Sequence, residues 1–143
     1  MVDSSLFTYK EAVELILGFY TFTSRYCEEE LVQIPEAKRF VDMGFGEKVE
    51  DGDLYVLSEA GKEVLHEYIK SISEFFIKHM TKKGFEMSCA EVSEWFKQEF
   101  KLETDDDSEA IADYICSNLG NYGYKVIKCY SRHKGNFYRL ERL

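Results

Sequence analysis

Residues 124–142 combine clustered cations with tyrosine rings, a combination that suits contact with nucleic acid. Lysine and arginine neutralise phosphates, and aromatic rings stack on bases. Residues 119–143 carry six basic and one acidic side chain, a net charge of +5. The candidate contacts are Lys125, Lys128, Arg132, Lys134, Arg139 and the stacking residues Tyr130 and Tyr138. The alternative is a hairpin whose cations pair with the acidic stretch at 105–113 of the same chain.

The rest of the sequence is acidic, and the chain as a whole has a net charge of −9. Residues 1–70 hold 7 basic and 15 acidic side chains, and residues 86–113 hold 2 and 10. This charge repels phosphate and anionic membranes, so it favours a basic protein as partner. The candidate contacts for such a partner are Glu28, Glu29, Glu30, Glu47, Glu50, Asp51 and Asp53. Ordinary solvation of these carboxylates is the alternative interpretation.

Catalysis and metal binding have no recognisable motif here. No nucleophile stands at motif spacing from a base, and no glycine-rich phosphate loop occurs, so we predict no enzyme. The four cysteines lack paired spacing and the three histidines are scattered, so we predict neither a metal site nor a cofactor. The run Asp105 to Asp107 predicts a helix N-terminus, where carboxylates meet the positive end of the helix dipole.

Hydropathy predicts a protein that remains in the cytoplasm. No apolar run reaches the roughly 18 residues that a membrane span needs. The best apolar run, Val13 to Phe22, contains Glu14 and has no basic leader, which is not the pattern of a signal peptide. In a reducing compartment we expect the cysteines to be free, buried thiols.

The first half of the chain predicts three helices and a hairpin. Thr8 and Glu11 form a capping box at the start of a helix, and a short acidic helix follows at 27–32. A third helix begins near Pro35 and ends before Gly44. On both sides of Asp51-Gly52, hydrophobic residues recur at every second position, and this pattern predicts a β-hairpin.

A long helix follows, capped by Ser58 and reaching about Lys82. Its apolar residues recur at helical spacing, which predicts one buried stripe. This stripe is either part of the core or the seam of a homodimer. It consists of Leu65, Ile69, Ile72 and Phe76.

The same order of elements then recurs. Ser88 and Glu91 form a second capping box, Asp105 begins another helix, and residues 124–131 and 137–142 read as two strands. The predicted fold class is therefore mainly α with two short β-hairpins (α+β). We predict two small units, residues 1–70 and 71–143, joined by the long helix.

Three helices followed by a hairpin is the winged-helix arrangement. Residues 35–69, PEAKRFVDMGFGEKVEDGDLYVLSEAGKEVLHEYI, resemble bacterial winged-helix regulators of the multiple-antibiotic-resistance and phenolic-acid repressor families. The resemblance rests on a Met-Gly-Phe phrase, a short hairpin and Leu-Ser-Glu-Ala-Gly-Lys at the start of a long helix. It implies a tandem winged-helix protein whose third helices enter the major groove and whose wings contact phosphates. Lys38 and Arg39 would then be contacts of the first unit.

Two functions follow from these observations. The first is a DNA-associated transcriptional regulator, which we favour because winged helices commonly bind DNA. The second is an acidic protein-interaction module that has lost DNA binding, such as a phage-type inhibitor of a nucleic-acid enzyme. The acidic first wing favours the second function, and so does the candidate recognition helix at 107–119, which has no Lys or Arg. The partner is accordingly DNA or a basic nucleic-acid-associated protein.

Overall fold

A computed structural model describes residues 6–22, 25–49 and 52–143. The chain divides into two compact units, Met1–Tyr68 and Ile69–Leu143. Each contains helices and one three-stranded antiparallel sheet. The α+β class expected from the sequence is thereby confirmed.

The first unit begins with the capping box that the sequence predicts. Thr8 Oγ1 accepts a hydrogen bond from the Glu11 amide at 3.1 Å, and Glu11 Oε1 accepts one from the Thr8 amide at 2.9 Å. The elements of this unit are α1 (Tyr9–Ile16), a π-helical turn (Leu17–Phe22), β1 (Tyr26–Cys27), α2 (Glu28–Gln33), α3 (Pro35–Asp42), β2 (Gly46–Lys48) and β3 (Leu54–Leu57). Pro35 occupies the first turn of α3.

Helix α4 (Glu59–Lys82) is 24 residues long, and the boundary between the units falls within it. Ser58 Oγ accepts a hydrogen bond from the Gly61 amide at 3.0 Å and donates one to the Gly44 carbonyl at 2.9 Å. The predicted cap is therefore confirmed, and it also ties α4 to the turn after α3. No helix in the described part of the chain is long and apolar enough to cross a membrane.

The second unit contains the other predicted capping box, since Ser88 Oγ accepts from the Glu91 amide at 3.1 Å. Thr104, which the sequence reading did not identify, caps the next helix by accepting from the Asp107 amide at 3.1 Å. The elements after α4 are β4 (Glu86–Ser88), α5 (Cys89–Glu99), α6 (Asp105–Asn118), a 3-10 turn (Leu119–Tyr122), β5 (Tyr124–Ser131) and β6 (Gly135–Arg142).

The two sheets have the same strand order. The first is β1-β3-β2 and the second is β4-β6-β5, with every neighbouring pair antiparallel. In each sheet a short strand that precedes two helices pairs with the last strand of the hairpin. The sequence analysis predicted the hairpins but missed β1 and β4, because strands of two and three residues are too short to show a period.

The apolar stripe of α4 belongs to the core of the single chain. Its four side chains are at most 5% exposed, so this stripe is not available to a second copy and its interpretation as a dimer seam is wrong. Other fully buried side chains include Phe40 and Leu15 in the first unit and Phe96 and Ile111 in the second.

Candidate functional site

The β5–β6 hairpin, where the candidate nucleic-acid contacts lie, is a regular ladder of eight residue pairs. The pairing runs from Tyr124 opposite Arg142 to Ser131 opposite Gly135. The strand β6 begins two residues earlier than the sequence predicts, because Gly135 adopts a left-handed φ of 68° that closes the turn. The tip is thus only Arg132 to Lys134.

Residues opposite each other in a ladder share a face of the sheet, and this assigns the hairpin's side chains to two faces. The inner face holds Leu140, which is buried, and Tyr138, which lies opposite the buried Met87. Lys128 is on this face, with its Nζ 5.8 Å from the Tyr138 ring centroid. Lys128 also lines a groove of about 300 Å³ together with Glu109 and Asp113 of α6.

The outer face holds the pair Lys125–Glu141 and the row Ile127–Arg139–Glu86. Glu86 Oε2 lies 2.7 Å from Lys134 Nζ, and its Oε1 lies 3.3 Å from Arg139 Nε. The hydrogen bond from Lys134 is the main cause that lowers the pKa of Glu86. One carboxylate from β4 thus engages two of the five candidate cations.

For Lys134 and Arg139, this arrangement corrects the alternative in which the hairpin pairs with residues 105–113; Lys128, in contrast, shares a groove with carboxylates of that stretch. Among the described residues, Lys134 and Arg139 form ion pairs with Glu86 instead. Asp105 pairs with Lys97 of α5 at 2.9 Å. At the start of α6, Asp105 therefore pairs with the neighbouring helix α5 and not with the hairpin.

Four candidate contacts remain exposed on the hairpin without an ion pair to any described residue. Lys125, Lys128 and Arg132 have no carboxylate within 4.0 Å in the described part of the chain, and Tyr130 is 72% exposed. Arg142, which the sequence analysis did not single out, is also exposed, with its guanidinium carbon 5.8 Å from the Tyr124 ring centroid. Arg142 ends the predicted second strand of the hairpin, and this position in the sequence could have identified it as a further candidate contact.

The cations of α3 are engaged within the first unit. Arg39 Nη2 lies 3.0 Å from Glu11 Oε2 and donates to the Leu6 carbonyl at 3.4 Å. Its guanidinium carbon also lies 4.6 Å from the Phe7 ring centroid. Lys38 pairs with Asp42 at 2.8 Å one turn further along the helix. Arg39 therefore fastens the segment before α1 to α3.

The acidic candidates of the first unit lie around the start of α2 and the first hairpin. The Glu28 amide donates to the Asp53 carbonyl at 2.7 Å, which brings these two residues together. The Glu28 carboxylate lies 3.9 Å from Lys48 Nζ and accepts a hydrogen bond from the Tyr55 hydroxyl at 3.4 Å.

The other described acidic candidates lie in α2 and β2. Glu29, Glu30 and Glu47 are exposed. Glu30 accepts a hydrogen bond from Cys27 Sγ at 3.0 Å, and this contact raises the pKa of the Cys27 thiol. Glu50 and Asp51 lie outside the described residues.

The division into units also divides the charge. Residues 1–68 contain 6 basic and 15 acidic side chains, a net charge of −9. Residues 69–143 contain 12 of each, a net charge of zero. The net negative charge of the chain therefore comes from the first unit.

The cysteines are free, but all four are partly exposed, which corrects the expectation that they are buried. Desolvation raises the pKa of the Cys116 thiol to about 12. In the ranges that the structure describes, no group of three or more His, Cys, Asp or Glu side chains could hold a metal ion.

Comparison of the chain with protein-family models, with curated proteins and with solved structures finds no match.

Proposed function

We propose that this chain is a non-enzymatic tandem winged-helix protein that associates with DNA in the cytoplasm as a transcriptional regulator. The repeated element order supports the fold assignment. Each unit offers three helices followed by a hairpin, with one extra strand added to the hairpin in the same position. Two separate sheets with one strand order support the proposal that one module is used twice.

The observation that carries the DNA proposal is the hairpin of the second unit. It presents the exposed cations Lys125, Lys128 and Arg132, which have no carboxylate within 4.0 Å in the described chain, and the exposed ring of Tyr130 lies near its tip. An extended ribbon of this kind reaches phosphates without insertion of a helix into the groove. Contacts of this type fix position on the duplex and carry no sequence information.

Helix α6 is unsuited to reading bases in the way that a recognition helix does. It carries Asp105, Asp106 and Asp107 in its first turn and has no Lys or Arg along its length. Carboxylates on a helix in the groove face phosphates on both sides, and this repulsion opposes binding. We therefore propose that the wing is the main DNA contact, with an affinity that is sequence-tolerant and depends strongly on salt.

The test is fluorescence anisotropy with a labelled random duplex over a series of low salt concentrations. The variant Lys125→Gln with Arg132→Gln removes two phosphate contacts, so the slope of log K against log salt falls by about 1.8 in magnitude. The matched control, Lys38→Gln with Lys48→Gln, changes the net charge equally but lies in the first unit. It should bind as the wild type does. Absence of wild-type binding at low salt, or a loss confined to the control variant, would contradict the proposal.

A second candidate function is supported by the charge of the first unit. Its net charge of −9 and the engagement of Arg39 by Glu11 favour an acidic surface that binds a basic protein. A lysine-rich peptide serves as the probe. Binding that is lost in Glu28→Gln with Asp53→Asn, in a protein that does not bind duplex DNA, would favour this function over the first.

A further inference from the structure

A cavity of about 380 Å³ opens at the outer face of the second sheet. It lies where the end of α4, the strand β4 and the tip of the hairpin meet. Its charged lining residues are Lys83, Glu86, Glu91 and Lys134. Arg139 reaches the same carboxylate, Glu86, that Lys134 contacts.

We propose that Lys134 and Arg139 form a subsite for a phosphodiester group, and that the Glu86 carboxylate occupies this subsite as an internal competitor. This inference rests on the proposed function, because it assigns a regulated phosphate contact to the same hairpin. Carboxylate and phosphate oxygens accept the same charge-assisted hydrogen bonds from lysine and arginine. A phosphate can therefore replace Glu86 on both cations.

The contact is fixed by the sheet and is not an accidental meeting of surface side chains. Glu86 lies opposite Arg139 in the β4–β6 register, and the Leu140 amide donates to the Phe85 carbonyl at 2.8 Å just before this pair. Lys134 reaches back from the tip with its Nζ 5.1 Å from the Phe137 ring centroid. Each carboxylate oxygen consequently meets one cation.

The pairing is also weak enough to be exchanged. The side chains of Lys134, Arg139 and Glu86 are 58%, 46% and 32% exposed. Exposed ion pairs gain little from Coulomb attraction in water and are screened further by salt. A polyanion that brings several phosphates to the hairpin can displace a single carboxylate.

The surrounding charges favour an anion once Glu86 is removed. Lys83, Lys134 and Arg139 face Glu86 and Glu91, which leaves a net charge of +1 around the cavity. The Glu91 carboxylate already accepts a hydrogen bond from the Ser88 amide at 3.4 Å in the capping box of α5. Neutralising Glu86 raises the local net charge to +2 and frees two donors.

The experiment compares Glu86→Gln with the matched control Glu141→Gln, using the duplex anisotropy assay at fixed low salt. Glu141 lies on the same hairpin, opposite Lys125, and forms no ion pair with a described residue, so its change adds the same charge without freeing a cation. We expect Glu86→Gln to tighten duplex binding roughly threefold to tenfold, which corresponds to release from two exposed ion pairs. Glu141→Gln should change it by less than about twofold. In the triple variant Glu86→Gln, Lys134→Gln, Arg139→Gln the gain should disappear.

Two results in the duplex assay would overturn the inference while leaving the proposed function intact. Equal tightening by the two single variants would mean that only overall charge matters. Weaker binding by Glu86→Gln would mean that Glu86 positions the cations for DNA. Thermal unfolding of each variant confirms that the fold is retained.

A probe without DNA separates this inference from the proposed function. Tripolyphosphate is titrated into the 143-residue wild type and into Glu86→Gln while the Arg139 Nε–Hε signal is followed by NMR. A saturable shift that is tighter in Glu86→Gln supports the subsite even if neither protein binds duplex, in which case the proposed function alone fails. No shift in either protein overturns the subsite.

Discussion

A β-carbon on Gly61 would overlap the carbonyl oxygen of Phe45. The same carbonyl accepts a hydrogen bond from the Ser58 amide at 3.0 Å, so the start of α4 lies directly against the backbone of the turn after α3. This contact explains why serine and glycine occur in the sequence Leu-Ser-Glu-Ala-Gly-Lys at the start of α4. Ser58 caps the helix, and the glycine three residues later allows the close approach.

The first prediction concerns this contact. Gly61→Ala should destabilise the protein by about 1–3 kcal/mol, as overpacking of a buried site does, although alanine is the better helix former. Gly52→Ala is the control, because nothing lies within 4 Å of its added β-carbon. It should change stability by less than about 0.5 kcal/mol. Urea unfolding followed by circular dichroism measures both, and a Gly61→Ala variant as stable as the wild type would refute the packing argument.

The second prediction separates the two cations of α3. Arg39 contacts Glu11, the Phe7 ring and the Leu6 carbonyl, whereas Lys38 makes one exposed ion pair within its own helix. Arg39→Gln should therefore lower the free energy of unfolding by about 1 kcal/mol. Lys38→Gln should lower it by less than about 0.5 kcal/mol. Equal effects in chemical denaturation would show that Arg39 does not fasten the N-terminal segment.

The third prediction is a pH dependence of stability caused by His79. Its ring stacks on Trp95 with centroids 5.0 Å apart, and desolvation, followed by the charge of Lys83, lowers its pKa from 6.5. Below pH 6.5 the unfolded chain binds this proton more readily than the folded protein does. The stability that a neutral His79 contributes is therefore complete above about pH 6.5 and is lost as the pH falls towards the folded pKa.

Thermal unfolding between pH 5 and 7.5 tests this dependence by comparing the wild type with His79→Gln. The loss of melting temperature on acidification should be smaller in the variant. NMR titration of the His79 ring in the folded protein should give a pKa below 6.5. A ring that titrates above this value would reverse the sign and contradict the prediction.

Local rules predicted much of the fold. Both capping boxes, the cap at Ser58, the proline at the start of α3 and the two hairpins are set by residues within a few positions of one another. The strands β1 and β4 were missed because they are defined by pairing with distant strands. Tyr26 pairs with Tyr55 and Met87 with Tyr138, and neither short segment has a pattern of its own.

The sequence predicted which residues make up the candidate site, but it did not predict which ion pairs they form. The concentration of cations at 124–142 is visible in the sequence. The engagement of Lys134 by Glu86 joins residues 48 positions apart, and that of Arg39 by Glu11 joins residues 28 apart. Only the folded chain shows which cations are paired and which are exposed without an ion pair to a described residue.

The central claim is that the hairpin of the second unit is the DNA contact, and amide chemical-shift mapping tests it most directly. A random duplex is titrated at low salt into the uniformly 15N-labelled 143-residue chain. We predict that the largest shifts fall within Tyr124–Ser131 and Gly135–Arg142 and at the tip between them, with no comparable shifts in α3. Shifts centred on α3 or on the first hairpin, or no shifts at all, would contradict the claim.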